Sequence, residues 1–580
     1  MVKKLILVGK DLAVKLFTSL KRFPEAILLT TAVVIIQILL HHLGRSAINS
    51  MLRDTLIRVS MILALGVPLL LSLKLLFERL TALDNRQKIL LYLGVGIGLV
   101  LYHFYWLKNL EMVPLSRYTA FTLAFYSLFL IIPYFYKREN FELYCVQLLT
   151  NFTVTYFYAA VLYMGLAAML FTISKLFLVQ MGRVYFDIWL IVAGIFAPAY
   201  FLADVPQLKK EFQAAAYPKV LKILLLYILT PLLIAYGAIL YAYFVKIIIT
   251  RSWPEGIVAH LVLWYSLISC LVIFFIYPLR NSKRWIGRFL YLFPKFFFPL
   301  LAMMFVAMGI RIHNYGITEN RYFVLSAGFW VTGILLYYLF SKKVRNIVLP
   351  ISLALVAALS VTGPWSSYSI SKLSQNHRFA TILNKYDMIF DNSIVKPERP
   401  LPKAAKAEII SILSYFQRFH SLNQLKYLPQ GFKLSQTQTI FGFEVTKKDL
   451  NYRKIASFFH YDFPENQPVN IGGYDYFVNI PHSDITKITR EKIQISYAIE
   501  SGVFKVWRHD EEIYSRKVSD LIAPLINNGT QPEKVNLTFT DENEQLKVLY
   551  VCNNLSGEKN QFTEEIEINY LNFFAFIKLK

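Results

Sequence analysis

Long apolar runs alternate with short polar connectors from Glu25 to Val361, and beyond that point the apolar positions break into short alternating runs. Eleven runs stand out: Glu25–His41, Thr55–Leu76, Ile89–Leu107, Tyr118–Tyr136, Phe152–Ile173, Val184–Leu202, Ile223–Val245, Gly256–Pro278, Tyr291–Ile310, Tyr322–Phe340 and Ile347–Val361. A hydrocarbon core about 30 Å thick is crossed by roughly 20 helical residues, or slightly fewer where flanking side chains snorkel. Each run therefore predicts a membrane-crossing helix, and the chain reads as an α-helical polytopic membrane bundle of about 11 transmembrane helices. Loss of any one would invert everything after it.

The opening "MVKKLILVGKDLAVKLFTSLKRF" sets Leu5, Val8, Leu12, Leu16 and Leu20 on one stripe with lysines around it. This predicts an interfacial amphipathic segment over 1–22, lying on an anionic inner leaflet. No cleaved leader is expected, because the first apolar run lacks a small-x-small exit and is followed by further spans. The transmembrane domain is assigned to 23–365. After "VTGPWSSYSISKLSQNHRF" the apolar density collapses, and 366–580 reads as a soluble extracytoplasmic domain. Within it Pro402–Phe419 predicts a helix with Ile409, Ile410, Leu413 and Phe416 on one face. The stretches "GGYDYFVNI", "KIQISYAIE", "GVFKVWRHDEEIYSRKV", "VNLTFTDENEQLKVLYVC" and "TEEIEINYLNFFAFIKL" predict strands. "TDENEQ" fits a hairpin turn whose acids need no metal, and the domain reads as α+β with a mainly antiparallel sheet.

Composition sharpens this reading. Of 580 residues, 56% are apolar and only 17% charged, unlike an ordinary soluble protein. The net charge of +24 raises nucleic acid as a partner. The segment up to Trp365 holds 35 Lys+Arg against 13 Asp+Glu, while the remainder holds 26 against 24. Cations concentrated in connectors between apolar runs mark membrane orientation, so nucleic acid is not expected as a partner. With the N-terminus in the cytoplasm, the inner connectors carry 22 Lys+Arg and the outer ones 10. That asymmetry places the protein in the cell membrane with its C-terminal domain extracytoplasmic. Cys145 and Cys270 fall in the membrane part, and Cys552 is alone in the last domain, which therefore has no internal disulfide.

Charged groups at mid-membrane, the strongest sign of function, are missing. Arg58, His103, Asp187 and His260 instead lie within about two turns of the outer ends of their spans. With outer-loop residues including Arg117, Arg251, Glu255, Arg311, His313, Glu319 and Arg321, they compose a candidate polar layer at the outer leaflet. Its core set is Arg58, His103, Asp187, His260, Glu319 and Arg321. Two readings stand: side chains snorkelling to headgroups, or a site for a lipid headgroup or envelope precursor. A site predicts that Asp187 and His260 tolerate substitution worse than Arg45 and Arg53.

Other features have structural readings. Pro68, Pro231 and Pro299 fall near the centres of their runs and are expected to kink them. "GVGIG", Gly94 to Gly98, has the spacing for close helix packing. In "YGITENRY", Tyr315 to Tyr322, Thr318 is expected to cap the tenth helix, Glu319 to suit its positive end and Arg321 to reach lipid phosphate. The four histidines His420, His460, His482 and His509 are scattered, and "RHDEE" and "PHSD" read as turns. No zinc helix, nucleophile elbow, Cys-x-x-Cys pair or phosphate loop is present, so no catalytic, cofactor-binding or metal residue is assigned.

"YGITENRY", "YAYFVKIIITRSWPEG" (Tyr241 to Gly256), "KRFP" (Lys21 to Pro24), "GPWS" (Gly363 to Ser366) and "GGYDYF" (Gly472 to Phe477) together resemble the bacterial membrane family catalogued as domain of unknown function 4153. The resemblance runs from about residue 20 to 380, with a weaker echo in the tail. It implies a polytopic bacterial membrane protein with no established activity and no catalytic residues to carry over. The expected function is a non-catalytic envelope sensor or scaffold whose partners are the lipid bilayer and, outside, a lipid headgroup, cell-wall component or protein. A transporter or lipid flippase is the alternative, and an outer-leaflet enzyme acting on lipid-linked substrate the third reading.

Overall fold

A computed structural model describes residues 14–43, 50–80, 82–135, 140–177, 181–207, 217–250, 257–391, 393–445, 456–463, 468–481, 485–490, 493–499, 501–522, 537–560 and 566–580. Residues 1–13 of the amphipathic segment, Arg45, Arg251, Glu255 and residues 482–484 of "PHSD" lie outside the described residues; residues 14–22 are helical. The chain forms two compact units, Met1–Lys385 with Gln424–Lys426, and Tyr386–Asn423 with Tyr427–Lys580.

The first unit is helical: α1 Pro24–His42, α2 Ser50–Arg79, α3 Asn85–Tyr105, α4 Met112–Ile131, α5 Phe141–Phe177, α6 Gly182–Ile191, α7 Ala197–Ala203, α8 Lys219–Ile223, α9 Thr230–Thr250, α10 Ile257–Ile276, α11 Arg284–Leu292, α12 Phe297–Tyr315, α13 Glu319–Phe340, α14 Val348–Ser360 and α15 Ser367–Lys385. Local chemistry sets several starts. Pro24 occupies the first turn of α1, where its missing N–H is no loss. Asp84 and Gln87 form a reciprocal capping box at α3.

Among the described residues, ten helical runs are long and apolar enough to cross a bilayer. The expected eleventh span corresponds to α14, a shorter apolar helix of 13 residues, about 20 Å long, less than a full hydrocarbon thickness. All three prolines lie inside helical runs: Pro68 within α2, Pro231 within the continuous run Lys219–Thr250 and Pro299 within Arg284–Tyr315, where each removes a backbone hydrogen bond. Pro299 follows the 3-10 turn Phe293–Phe296. Pro231 follows a π turn, Leu224–Leu229, in which the Thr230 amide bonds Leu225 O. The Thr230 hydroxyl donates to the same carbonyl at 2.8 Å. Pro198 likewise follows the π turn Val192–Phe196. Among the described residues a Cβ on Gly94, Gly96 or Gly98 would meet nothing within 4 Å, so no close helix approach depends on that stripe; Gly94 and Gly98 instead line a hollow with Leu65 and Leu69 of α2.

Polar contacts sort the helix ends into two sets. In the first, Arg22 holds both Glu78 carboxylate oxygens at 2.9 Å and donates to Val205 O at 2.5 Å. Lys15 pairs with Asp204 at 2.7 Å, Tyr92 donates to Glu25, and Asn346 donates to Glu142. In the second set, Arg58 donates to Lys108 O, Ser116 meets the Tyr368 hydroxyl at 2.7 Å, Arg117 donates to Val361 O at 3.3 Å, and Tyr322 donates to Trp365 O. The short α14 reaches both, through Asn346 before it and Val361 after it.

The second unit is built mainly of antiparallel sheet. After the β1 Ile389–Phe390 and β2 Ser393–Ile394 pair comes the helix α16 Lys403–Phe419, which buries Ile409, Ile412, Leu413 and Phe416. The short helix α17 Thr437–Phe441 precedes the main strands. These are β3 Ala456–Asp462, β4 Tyr476–Ile480, β5 Ile485–Arg490, β6 Ile493–Ala498, β7 Val503–Arg508, β8 Glu511–Lys517, β9 Thr538–Glu542, β10 Leu546–Asn560 and β11 Ile566–Leu579. One sheet runs β3-β10-β11-β4 with β9 also on β10; the other runs β5-β6-β7-β8. Alternate residues Ile493, Ile495 and Tyr497 point inward from β6, and the rings of Phe504, Tyr550 and Phe573 join the two sheets. The expected hairpins are present: β9 pairs β10 around the "TDENEQ" turn, and His509 and Asp510 take positive φ between β7 and β8, as a tight hairpin turn requires.

Between the sheets the Tyr514 hydroxyl donates to Asp541 at 2.7 Å and meets the Tyr550 hydroxyl at 2.9 Å, while Arg516 donates to the same Asp541 oxygen at 2.8 Å. Burial, reinforced by the neighbouring Tyr550 and Asp541, pushes the Tyr514 phenol well above its ordinary value. The folded state therefore holds this proton after the unfolded chain has released it. Stability from this group is complete below about pH 10 and falls as pH rises beyond that. Alkaline titration followed by tyrosinate absorbance should give the same curve for wild type and Tyr514→Phe up to about pH 11.

Candidate functional site

A crevice of about 820 Å³ opens between α4, α10, α13 and α14 of the helical unit. Ser116 and Ser360 lie at one end, Leu123, Ala327 and Leu353 along its middle, and Phe141 and Leu349 at the other. The volume falls in the range of small-molecule sites, about 300–1,000 Å³. Its walls are nearly all apolar, and Trp330 in the wall spends its indole N–H on Ser352 at 2.9 Å. No titratable side chain lines it apart from Tyr126 and the thiols of Cys145 and Cys270.

Polar groups gather around the end of the crevice near Ser116. Arg117 stacks its guanidinium over the rings of Trp106 and Tyr368 at 5.5 and 5.2 Å. The "YGITENRY" turn lies in the same set of helix ends, clasped by α15: Gln375 donates to the carbonyls of Tyr315 and Ile317, each at 3.0 Å, and the Ile317 amide donates to Ser374 at 2.8 Å. Gly316 ends α12 with φ 67° and ψ 177°, a backbone state open almost only to glycine. Arg321 has contacts within the turn as well. It turns back to the Tyr315 and Gly316 carbonyls at 3.1 and 2.5 Å, satisfying the end of α12. Thr318 stands at the N-cap of α13 but makes no side-chain cap bond, and Glu319 is buried.

The core candidate residues do not converge on one point. Arg58 donates to the Leu107 and Lys108 carbonyls and the Thr55 hydroxyl, and His103 lies one turn before that helix end with a buried Nδ1 lacking a hydrogen-bond partner. Asp187 meets His41 and His42. Glu319 and Arg321 belong to the turn under α15. Among the described residues His260 makes no hydrogen bond or ion pair, and it is half-buried on α10. Sequence reasoning missed His41, His42, Ser374 and Gln375. The adjacent histidines closing an apolar run were a signal for the first two; nothing in local pattern marked the other pair.

The family model described as a domain of unknown function, DUF4153, matches residues 26–390. The chain belongs to this family. The match ends just beyond α15, so the DUF4153 region spans the helical unit together with the helix that clasps its turn. An uncharacterized protein of Pasteurella multocida (strain Pm70) is 23% identical over 359 residues, covering 60% of this chain and 60% of the relative. No solved structure matches. This DUF4153 member is a polytopic membrane protein with a C-terminal antiparallel-sheet domain.

Proposed function

We propose that this protein is a non-catalytic sensor or scaffold of the cell envelope that holds a membrane lipid by its acyl chain in the crevice between α4, α10, α13 and α14. The observation that carries the reading is the crevice itself: a bilayer-facing bundle with an apolar hollow of about 820 Å³ offers its best complement to a hydrocarbon chain. The wall hydroxyls of Ser116, Thr119, Ser127 and Ser360 donate to backbone carbonyls of their own helices, which favours holding a lipid tail over passing a headgroup. Arg117, packed on Trp106 and Tyr368, marks the end at which a polar headgroup would lie.

The same reading puts the lysine-rich helix ends in the cytoplasm and the sheet domain outside. Its support is the charge asymmetry of the connectors and the contacts of α14 with both sets of helix ends. Native mass spectrometry of the detergent-purified protein is expected to find about one retained phospholipid per chain. Ala327→Trp and Ala357→Trp, which fill the crevice, should cut retention at least tenfold with little change in melting temperature. Retention equal to wild type in both variants, or a wild-type protein that carries no lipid, would sink the proposal.

A further inference from the structure

We propose that His41, His42 and Asp187 form a binding site for a divalent transition-metal ion, with zinc the closest chemical match. The site lies apart from the crevice, between the end of α1 and the start of α6, and does not depend on the lipid reading.

His41 and His42 close α1. Neighbouring residues on a helix point about 100° apart, yet both rings reach one carboxylate. They do so through opposite nitrogens: His41 presents Nδ1 to Asp187 Oδ1 at 3.1 Å, and His42 presents Nε2 to Oδ2 at 2.6 Å. One short and one long reach cancel the difference in direction. One ligand atom from each of the three residues lies within 4.8 Å of the others. A tetrahedral zinc with bonds of about 2.0–2.1 Å separates its ligand atoms by about 3.3 Å, so the widest pair has about 1.5 Å to close, within reach of side-chain rotation.

Two imidazoles and a carboxylate are a donor set suited to zinc, cobalt or nickel, and three protein ligands leave a coordination position for water. Access is open, since the His42 side chain is 45% exposed, whereas Asp187 is 15% exposed and shielded. The support is rigid. The His41 ring packs against Phe186 at 4.7 Å, and Phe186 stacks on Trp189. Below the site Gly194 lets α1 approach the π turn so closely that a Cβ there would overlap Val34. A hydrogen-bonded staple between α1 and α6 would need only one imidazole on the carboxylate; the second finds its role as a ligand.

The test uses full-length protein without a histidine tag, in nanodiscs, titrated with cobalt and then with zinc. One equivalent of cobalt should give the visible bands of a four- or five-coordinate ion, displaced by zinc. His42→Ala and Asp187→Asn should each weaken binding at least tenfold, and His313→Ala, an exposed histidine elsewhere, should leave it unchanged. If Asp187→Asn does not fold, the half-exposed His42→Ala decides. Sub-stoichiometric uptake by the wild type, a six-coordinate spectrum like that of aqueous cobalt, or binding that His42→Ala leaves intact would each overturn the proposal.

Discussion

Gly316→Val should destabilise the helical unit by about 3 kcal/mol and lower the melting temperature of the detergent-solubilised protein by several degrees. Two effects add. The backbone at φ 67°, ψ 177° costs a side-chain-bearing residue about 1–3 kcal/mol. A Cβ at this position would also lie 2.7 Å from Gln375 Nε2, displacing the amide that holds two carbonyls of the turn, at about 1 kcal/mol for each bond. The double variant Gly316→Val/Gln375→Ala removes the collision and leaves the backbone strain, so it should be less stable than Gln375→Ala by only the strain. Equal melting of Gly316→Val and wild type would show that the turn is not held as described.

Arg22→Ala is expected to cost about 3 kcal/mol. The guanidinium spans three elements at once, taking both oxygens of Glu78 on α2 and the Val205 carbonyl that follows α7. Its side chain is 15% exposed and that of Glu78 27%, so removing the arginine strands a half-buried carboxylate. Breaking a fully buried pair costs about 3–5 kcal/mol, and the remaining exposure of Glu78 places this one at the low end. Arg22→Lys keeps the charge but loses the planar fork, and should recover less than half of the loss in a denaturation assay. Full recovery by lysine would reduce the interaction to simple charge attraction.

The helical architecture was legible because the membrane imposes its own period: a run of apolar residues long enough to cross is visible without knowing its neighbours. Where the outcome depended on neighbours, sequence alone said less. Pro299 and Pro231 are central in their helical runs as their sequence position suggests, but the irregular 3-10 and π turns just before them had no local signal. The Gly94–Gly98 spacing allowed close packing, and among the described residues none comes within contact of it. Hairpins at Arg508–Glu511 and Glu542–Leu546 were readable because a tight turn is specified by its own few residues. Asp187 was singled out as an acid inside an apolar run, but its partners lie some 145 residues earlier in sequence. The clasp of α15 on the "YGITENRY" turn was likewise invisible, since Ser374 and Gln375 read as ordinary polar residues until the fold sets them beside Gly316.

The brevity of α14 has a consequence for the lipid around it. A rod of about 20 Å whose neighbours Asn346 and Val361 are tied to opposite polar ends cannot match an undisturbed hydrocarbon slab. Either headgroups and water dip inward beside it or the bilayer dimples, and both lower the barrier to entry at that flank. On the proposed lipid reading, α14 forms one wall of the hollow and is the expected entry flank for a tail, so thinner membranes should fill it more readily than thick ones.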